Sequence, residues 1–152
     1  MSVVAWDGKV IAADKQATNI GLRSLTTKIR KLTNGDIIAW TGDQDSALAM
    51  ASWYENGALQ GAWPESQKDK EGWARLIVLS DGKVIVYERQ PFPIVVEEPF
   101  MAWGSGRDYA IGALAQGANA VQAVTVASRY DSSCGLGIDF YECDAAKQEE
   151  PK

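Results

Sequence analysis

Three dipeptides constrain this chain more than any other feature. Asp7-Gly8, Asn34-Gly35 and Asp81-Gly82 each stand between two apolar runs. Asn-Gly and Asp-Gly supply the positive φ angles of two-residue type I′ turns, the strongest short-range signal for a β-hairpin. The three hairpins would pair Ser2–Trp6 with Lys9–Asp14, Lys28–Thr33 with Asp36–Thr41, and Arg75–Ser80 with Lys83–Glu88. A small domain holding three such units is rich in sheet.

The strands are apolar on both faces. Val3-Val4-Ala5-Trp6, Val10-Ile11-Ala12-Ala13, Ile37-Ile38-Ala39-Trp40 and Leu76-Ile77-Val78-Leu79 are nearly continuous apolar runs. Strands covered on both sides read this way, whereas a half-exposed strand alternates. Three segments with helical spacing can supply the cover. Asp45–Gly57 holds Leu48, Ala49, Ser52 and Trp53, with Asp43 or Asp45 as its N-cap. Arg107–Gln116 holds Tyr109, Ile111, Ala113 and Leu114. Asn119–Tyr130 sets Val121, Val124 and Tyr130 among small residues, with Asn119 as cap and Gly117 separating it from the helix before. Trp63-Pro64 through Gly72 reads as a polar connector with room for one short helix, and Phe100–Trp103 and Gly137–Glu142 as short strands. The order is hairpin, hairpin, helix, hairpin, strand, two helices, strand, which predicts a layered α+β domain. The chain's 152 residues fit one domain over 1–144, with a flexible acidic tail at 145–152.

Composition then limits the chemistry. The chain has no histidine, so a Ser-His-Asp or Cys-His nucleophile pair is excluded. Zinc sites with histidine ligands are excluded too, and Cys134 with Cys143 cannot complete a thiolate site, so no metal is expected. The net charge of -5 offers no basic footprint for nucleic acid. No apolar run approaches the roughly 20 residues of a membrane span. MSVVAW lacks a basic leader region, and two cysteines in a chain of this size suit a reducing cytoplasm.

A hydrolase without histidine must find its base elsewhere. A free α-amine, with a pKa of about 7.7–8.0, can serve, and an N-terminal hydroxyl residue can then act as nucleophile with its own amine as base. Ser2 follows Met1, is small enough for methionine removal, and opens a strand. A nearby cation would favour the neutral amine and the ionised hydroxyl. Lys28 could supply it, with Asp14 anchoring the lysine. An oxyanion needs a backbone N–H, for which Gly42 in Trp40-Thr41-Gly42-Asp43 is a candidate.

Five blocks in order resemble the proteasome β-subunit and HslV family of N-terminal nucleophile (Ntn) hydrolases. They are Asp7-Gly8-Lys9-Val10-Ile11-Ala12-Ala13-Asp14, Thr27-Lys28-Ile29-Arg30-Lys31-Leu32, Ala39-Trp40-Thr41-Gly42-Asp43, Trp103-Gly104-Ser105-Gly106 with Tyr109-Ala110, and Arg129-Tyr130-Asp131-Ser132-Ser133-Cys134-Gly135. The resemblance implies a four-layer αββα sandwich, the Ntn hydrolase fold. It places Asp14 as the structural acid, Lys28 as the active-site lysine and Gly42 at the oxyanion hole. Ser105 would orient the terminal amine and Asp131 would support it, with Cys134 where the family usually has serine. It further implies homo-oligomeric rings, polypeptide substrates, a possible unfolding ATPase partner and no cofactor. A non-catalytic ring or scaffold subunit, or an amidase acting on a small amide, would use the same fold.

The first hairpin leaves two registers open. A two-residue turn pairs Trp6 with Lys9, Ser2 with Ala13 and Met1 with Asp14. A four-residue loop over Asp7–Val10 would instead bring Ser2 to the family's nucleophile position, where the acid faces the second residue of the mature chain.

Overall fold

The strands sort into two antiparallel sheets and a separate two-stranded ribbon. The computed structural model describes residues 2–68 and 71–143, so the expected tail at 145–152 lies outside the described residues. The first sheet contains β1 (Val4–Trp6), β2 (Val10–Asp14), β10 (Met101–Trp103) and β11 (Ile138–Glu142), in the order β10-β1-β2-β11. The second contains β5 (Ile29–Lys31), β6 (Ile37–Gly42), β7 (Ala74–Ser80), β8 (Lys83–Tyr87) and β9 (Ile94–Val95), in chain order. The ribbon pairs β3 (Gln16–Asn19) with β4 (Leu22–Leu25).

Three apolar clusters explain why the strands are apolar on both faces. One joins Val4, Trp6, Ile11 and Ala13 of the first sheet to Ile29, Ile37, Ile77 and Val86 of the second. Alternate residues Val3, Ala5 and Ala12 meet helices α2 (Arg107–Ala115) and α3 (Ala120–Tyr130) through Ala110, Leu114, Ala123 and Val124. On the second sheet Ile38, Trp40, Leu76 and Val78 meet helix α1 (Gln44–Glu55) through Ala47, Met50 and Trp53. Side chains alternate along a strand, so each central strand feeds two clusters. Burial of a Val- or Ile-sized side chain contributes about 1.5–3 kcal/mol, and both faces of these strands collect it.

The helices begin where their caps predict. Asp43 accepts the Ser46 N–H at 3.0 Å and starts α1. Asn119 and Gln122 form a reciprocal capping box that starts α3. A short 3₁₀ turn, Gln60–Ala62, precedes the connector, and a second, Glu65–Lys68, lies within it where one short helix is expected. The second positions buried Gln67, whose amide pairs with both backbone groups of Ala74. A side chain there takes the place of a neighbouring strand.

The three turn dipeptides make three different loops. At Asp81-Gly82 both residues have positive φ (+50° and +77°) and Ser80 pairs with Lys83, the expected two-residue turn. At Asn34-Gly35 only the glycine has positive φ, and the connection closes through Leu32 and Asp36. At Asp7-Gly8 the tight turn is replaced by the four-residue loop. Trp6 pairs with Ile11, and Val4 with Ala13, so the Trp6–Lys9 pairing does not form. The reason is the Asp7 side chain. Its Oδ1 accepts the Lys9 and Val10 N–H groups at 2.8 and 2.7 Å, while its Oδ2 accepts the Ala120 N–H at the start of α3.

Candidate active site

The longer loop decides what sits at the open end of the hairpin. Asp14 now faces Val3: its backbone N–H donates to Val3 O at 3.2 Å, and its Oδ1 accepts the Val3 N–H at 3.1 Å. Lys28, at the entry to β5, donates to the same Oδ1 at 2.7 Å. Oδ2 accepts the Gln16 and Gly135 N–H groups at 3.3 and 3.0 Å. Both charged side chains are buried. Removing two charges from water is costly, and four donors on one carboxylate offset that cost. Burial pulls the Lys28 ammonium below its ordinary pKa, against the raising attraction of Asp14.

Ser2 is buried beside this pair. Its carbonyl accepts the Gly106 N–H at 3.1 Å and the Ser105 hydroxyl at 3.4 Å. Gly104, at φ +100°, passes so close that a Cβ there would lie 2.2 Å from Ser2 O. Glycine is required at that position by approach as well as by conformation. Ser105 also lies 3.9 Å from Cys134 Sγ, which lies 3.5 Å from Asp131 Oδ2. Burial tends to raise the Asp131 pKa, but hydrogen bonds from the Ser133 N–H, Ser105 and Cys134 hold it below the ordinary carboxyl value. Burial and the nearby carboxylates push the Cys134 thiol up to about 12, which leaves it protonated near neutrality.

Ser2, Lys28 and Gly42 line one cleft of about 740 Å³. Gly42 ends β6 at φ +104°, and a Cβ there would meet Trp73 O at 2.8 Å. The shared cleft and a chain of contacts bring all six predicted site residues into one neighbourhood. Ser2, Lys28 and Gly42 stand on the cleft and Asp14 lies behind the lysine. Ser105 meets the Ser2 carbonyl, and Cys134 lies between Ser105 and Asp131. Sequence reasoning missed Gln16. It is fully buried, and its Nε2 donates to Thr18 Oγ1 and Ser132 O, both at 3.0 Å. It thereby ties the Asp14 end of β2 to the 131–135 loop. Its position two residues after Asp14 was the available signal. Among the described residues, no three His, Cys, Asp or Glu side chains group so as to hold a metal ion. No described helix is long and apolar enough to cross a membrane.

The architecture is a mixed α/β fold of the HslV and proteasome type. BPH of Thiobacillus denitrificans, solved in complex with epoxomicin, superposes with a TM-score of 0.72 at 20% identity, covering 95% of this chain and 100% of that one. Eukaryotic HslV from Trypanosoma brucei gives 0.69 at 21% identity, covering 93% and 97%. A Gly-1 mutant of Anbu from Hyphomicrobium sp. strain MC1 gives 0.70 at 13% identity, covering 93% and 82%. At these identities the likeness is one of fold, and it is the fold expected from the family that the five sequence blocks resemble. No family model and no curated protein matches the chain.

Proposed function

We propose that this protein is a proteasome-like peptidase subunit with a four-layer αββα sandwich fold, in which Ser2 becomes the first residue of the mature chain. The observation that carries this reading is the register of the first hairpin, with Val3 opposite Asp14 and Lys28 bound to that carboxylate. The α-amine of Ser2 takes the Oγ proton as Oγ attacks the substrate carbonyl. Lys28 places its charge beside the forming alkoxide, and Asp14 fixes the lysine. The Gly42 N–H stabilises the tetrahedral oxyanion. Collapse transfers the proton to the leaving amine and leaves an ester on Ser2, which water cleaves. Ser105 and Asp131 hold the terminal residue in place through its carbonyl and the surrounding loop. In this reading the subunit works in the cytoplasm within a homo-oligomeric ring fed with unfolded polypeptide, with an unfolding ATPase as partner.

Two measurements test this. Mass spectrometry of the purified protein should find Ser2 at the N-terminus; a retained Met1 rejects the mechanism, because the amine then belongs to the wrong residue. Epoxomicin, which binds the similar BPH, should add covalently to the wild-type protein and fail to add to Ser2→Ala and Lys28→Ala. An unlabelled wild type that forms rings in light scattering would favour a non-catalytic subunit.

A further inference from the structure

Two surfaces of this chain are left uncovered, and they match each other. The β3–β4 ribbon is a sheet by itself, and a two-stranded unit without cover is marginally stable in water. Its turn nevertheless carries Ile20, 99% exposed at φ +48°, and its second strand carries Leu22 and Leu25, 71% and 69% exposed. An apolar β-branched side chain held at positive φ and in water gains nothing inside its own subunit. Arg23, between the two leucines, is exposed and forms no ion pair among the described residues. The other surface is a groove of about 430 Å³ between β9 and β10, each the edge strand of its sheet. Ile94, Val95, Val96, Met101 and Trp103 line it, and the open edges offer unpaired backbone groups. Glu97 and Glu98 also line it, are exposed, and form no ion pair among the described residues. An apolar arm with one cation thus faces the same chemistry as an apolar groove with two anions. No ribbon residue lines the groove of its own copy. The ribbon leads into β5, one edge of the second sheet, whereas β9 is the other edge. A contact between the two surfaces therefore joins copies head to tail, which closes into a ring when the rotation between copies allows.

We propose that the β3–β4 ribbon of one copy seats in the β9–β10 groove of the next, with Ile20 in the groove and Arg23 against Glu97 and Glu98. The inference rests on the ring assembly in the reading above and names its contact surface; it does not depend on the peptidase chemistry. Ala17, Asn19 and Ser24 of the same ribbon line the cleft that holds Ser2. Seating the ribbon therefore also steadies one wall of that cleft.

The test is sedimentation of the full chain and its variants over a range of concentrations. Ile20→Asp should raise the dissociation constant between copies about a hundredfold, because a carboxylate replaces an apolar side chain buried in the groove. Arg23→Glu should raise it about tenfold, and so should Glu97→Arg/Glu98→Arg. The three charge changes combined should recover most of the loss. All these positions are exposed in the single copy, so circular dichroism should match the wild type throughout. A second measurement reads the geometry. In a Cys143→Ser background, an Ile20→Cys/Val95→Cys double variant under mild oxidation should give a covalent ladder beyond the dimer, while either single variant stops at a dimer. A wild-type oligomer that survives Ile20→Asp and both charge reversals, with no ladder, overturns this surface and leaves the ring reading standing. A wild type that sediments as a monomer at every concentration overturns both, and epoxomicin labelling then still decides the peptidase reading by itself.

Discussion

Asp7-Gly8 and Asp81-Gly82 are the same dipeptide between similar apolar strands, and they build different hairpins. At Asp81 the backbone makes the turn itself, with both residues at positive φ. At Asp7 the side chain makes it, spending both carboxylate oxygens on three N–H groups, one of them on α3. The result is two extra residues in the loop and a pairing frame shifted by two. At the far end of the β1–β2 hairpin that shift sets Asp14 opposite Val3 and places Ser2 beside Lys28. The β7–β8 hairpin has only buried apolar pairs, such as Leu76 with Tyr87, at the corresponding distance from its turn. Turn chemistry at one end of a hairpin thus determines which residues form a site at the other.

The harshest way to break this contrast is to empty the open end of the first hairpin. Asp14→Ala removes the acceptor of four donors and leaves the Lys28 ammonium buried without a counter-charge. Destabilisation of about 3–5 kcal/mol is expected in urea melts, together with loss of epoxomicin labelling. Next comes the turn. Asp7→Ala leaves the Lys9, Val10 and Ala120 N–H groups without their acceptor and should cost about 1–2 kcal/mol. Because the loop sets the register, epoxomicin labelling should slow along with the fall in stability. An unchanged labelling rate would mean that the frame is held by β10 and β11 instead.

A smaller effect separates the two ends by pH. Asp131, in the cluster behind Ser2, has a folded pKa below its ordinary value. Its contribution to stability is complete above the unfolded carboxyl value and is lost as pH falls through the folded one. Asp131→Asn should therefore narrow the gap between stability at pH 6 and at pH 3. Unfolding at the two pH values measures it, and an unchanged gap would show that the site contributes nothing to the acid limb.

How much of this could be read from the chain follows from where each signal resides. Helices α1 and α3 were legible because Asp43 and Asn119 are strong caps at the start of apolar spacing, and α2, which begins at Gly106 without a side-chain cap, from its spacing alone; all three end within two residues of expectation. The central strands were legible from their apolar runs. The ribbon of β3 and β4 was not. Its strands are mostly exposed, and its turn is Ile20-Gly21, with Ile20 at φ +48° and 99% exposed. A β-branched residue at positive φ contradicts every turn preference. The six candidate site residues could be named from their types and order, while the frame that brings them together was not legible. A contact between Asp7 and Ala120, 113 residues apart, chose that frame, and no local rule contains it.

The gentlest test makes one substitution at both dipeptides. Asp→Asn keeps the shape of the side chain and one carbonyl oxygen. At position 81 the role is conformational, since asparagine adopts positive φ at least as readily as aspartate. Asp81→Asn should therefore change stability by no more than about 0.5 kcal/mol. At position 7 both oxygens accept, and asparagine must turn an NH₂ group toward one set of N–H donors. Asp7→Asn should cost about 1 kcal/mol, the scale of a buried donor left without its acceptor. Paired urea melts read the difference between the two variants. A difference near zero would mean that Asp7, like Asp81, acts only through its backbone, and the loop length would then need another cause.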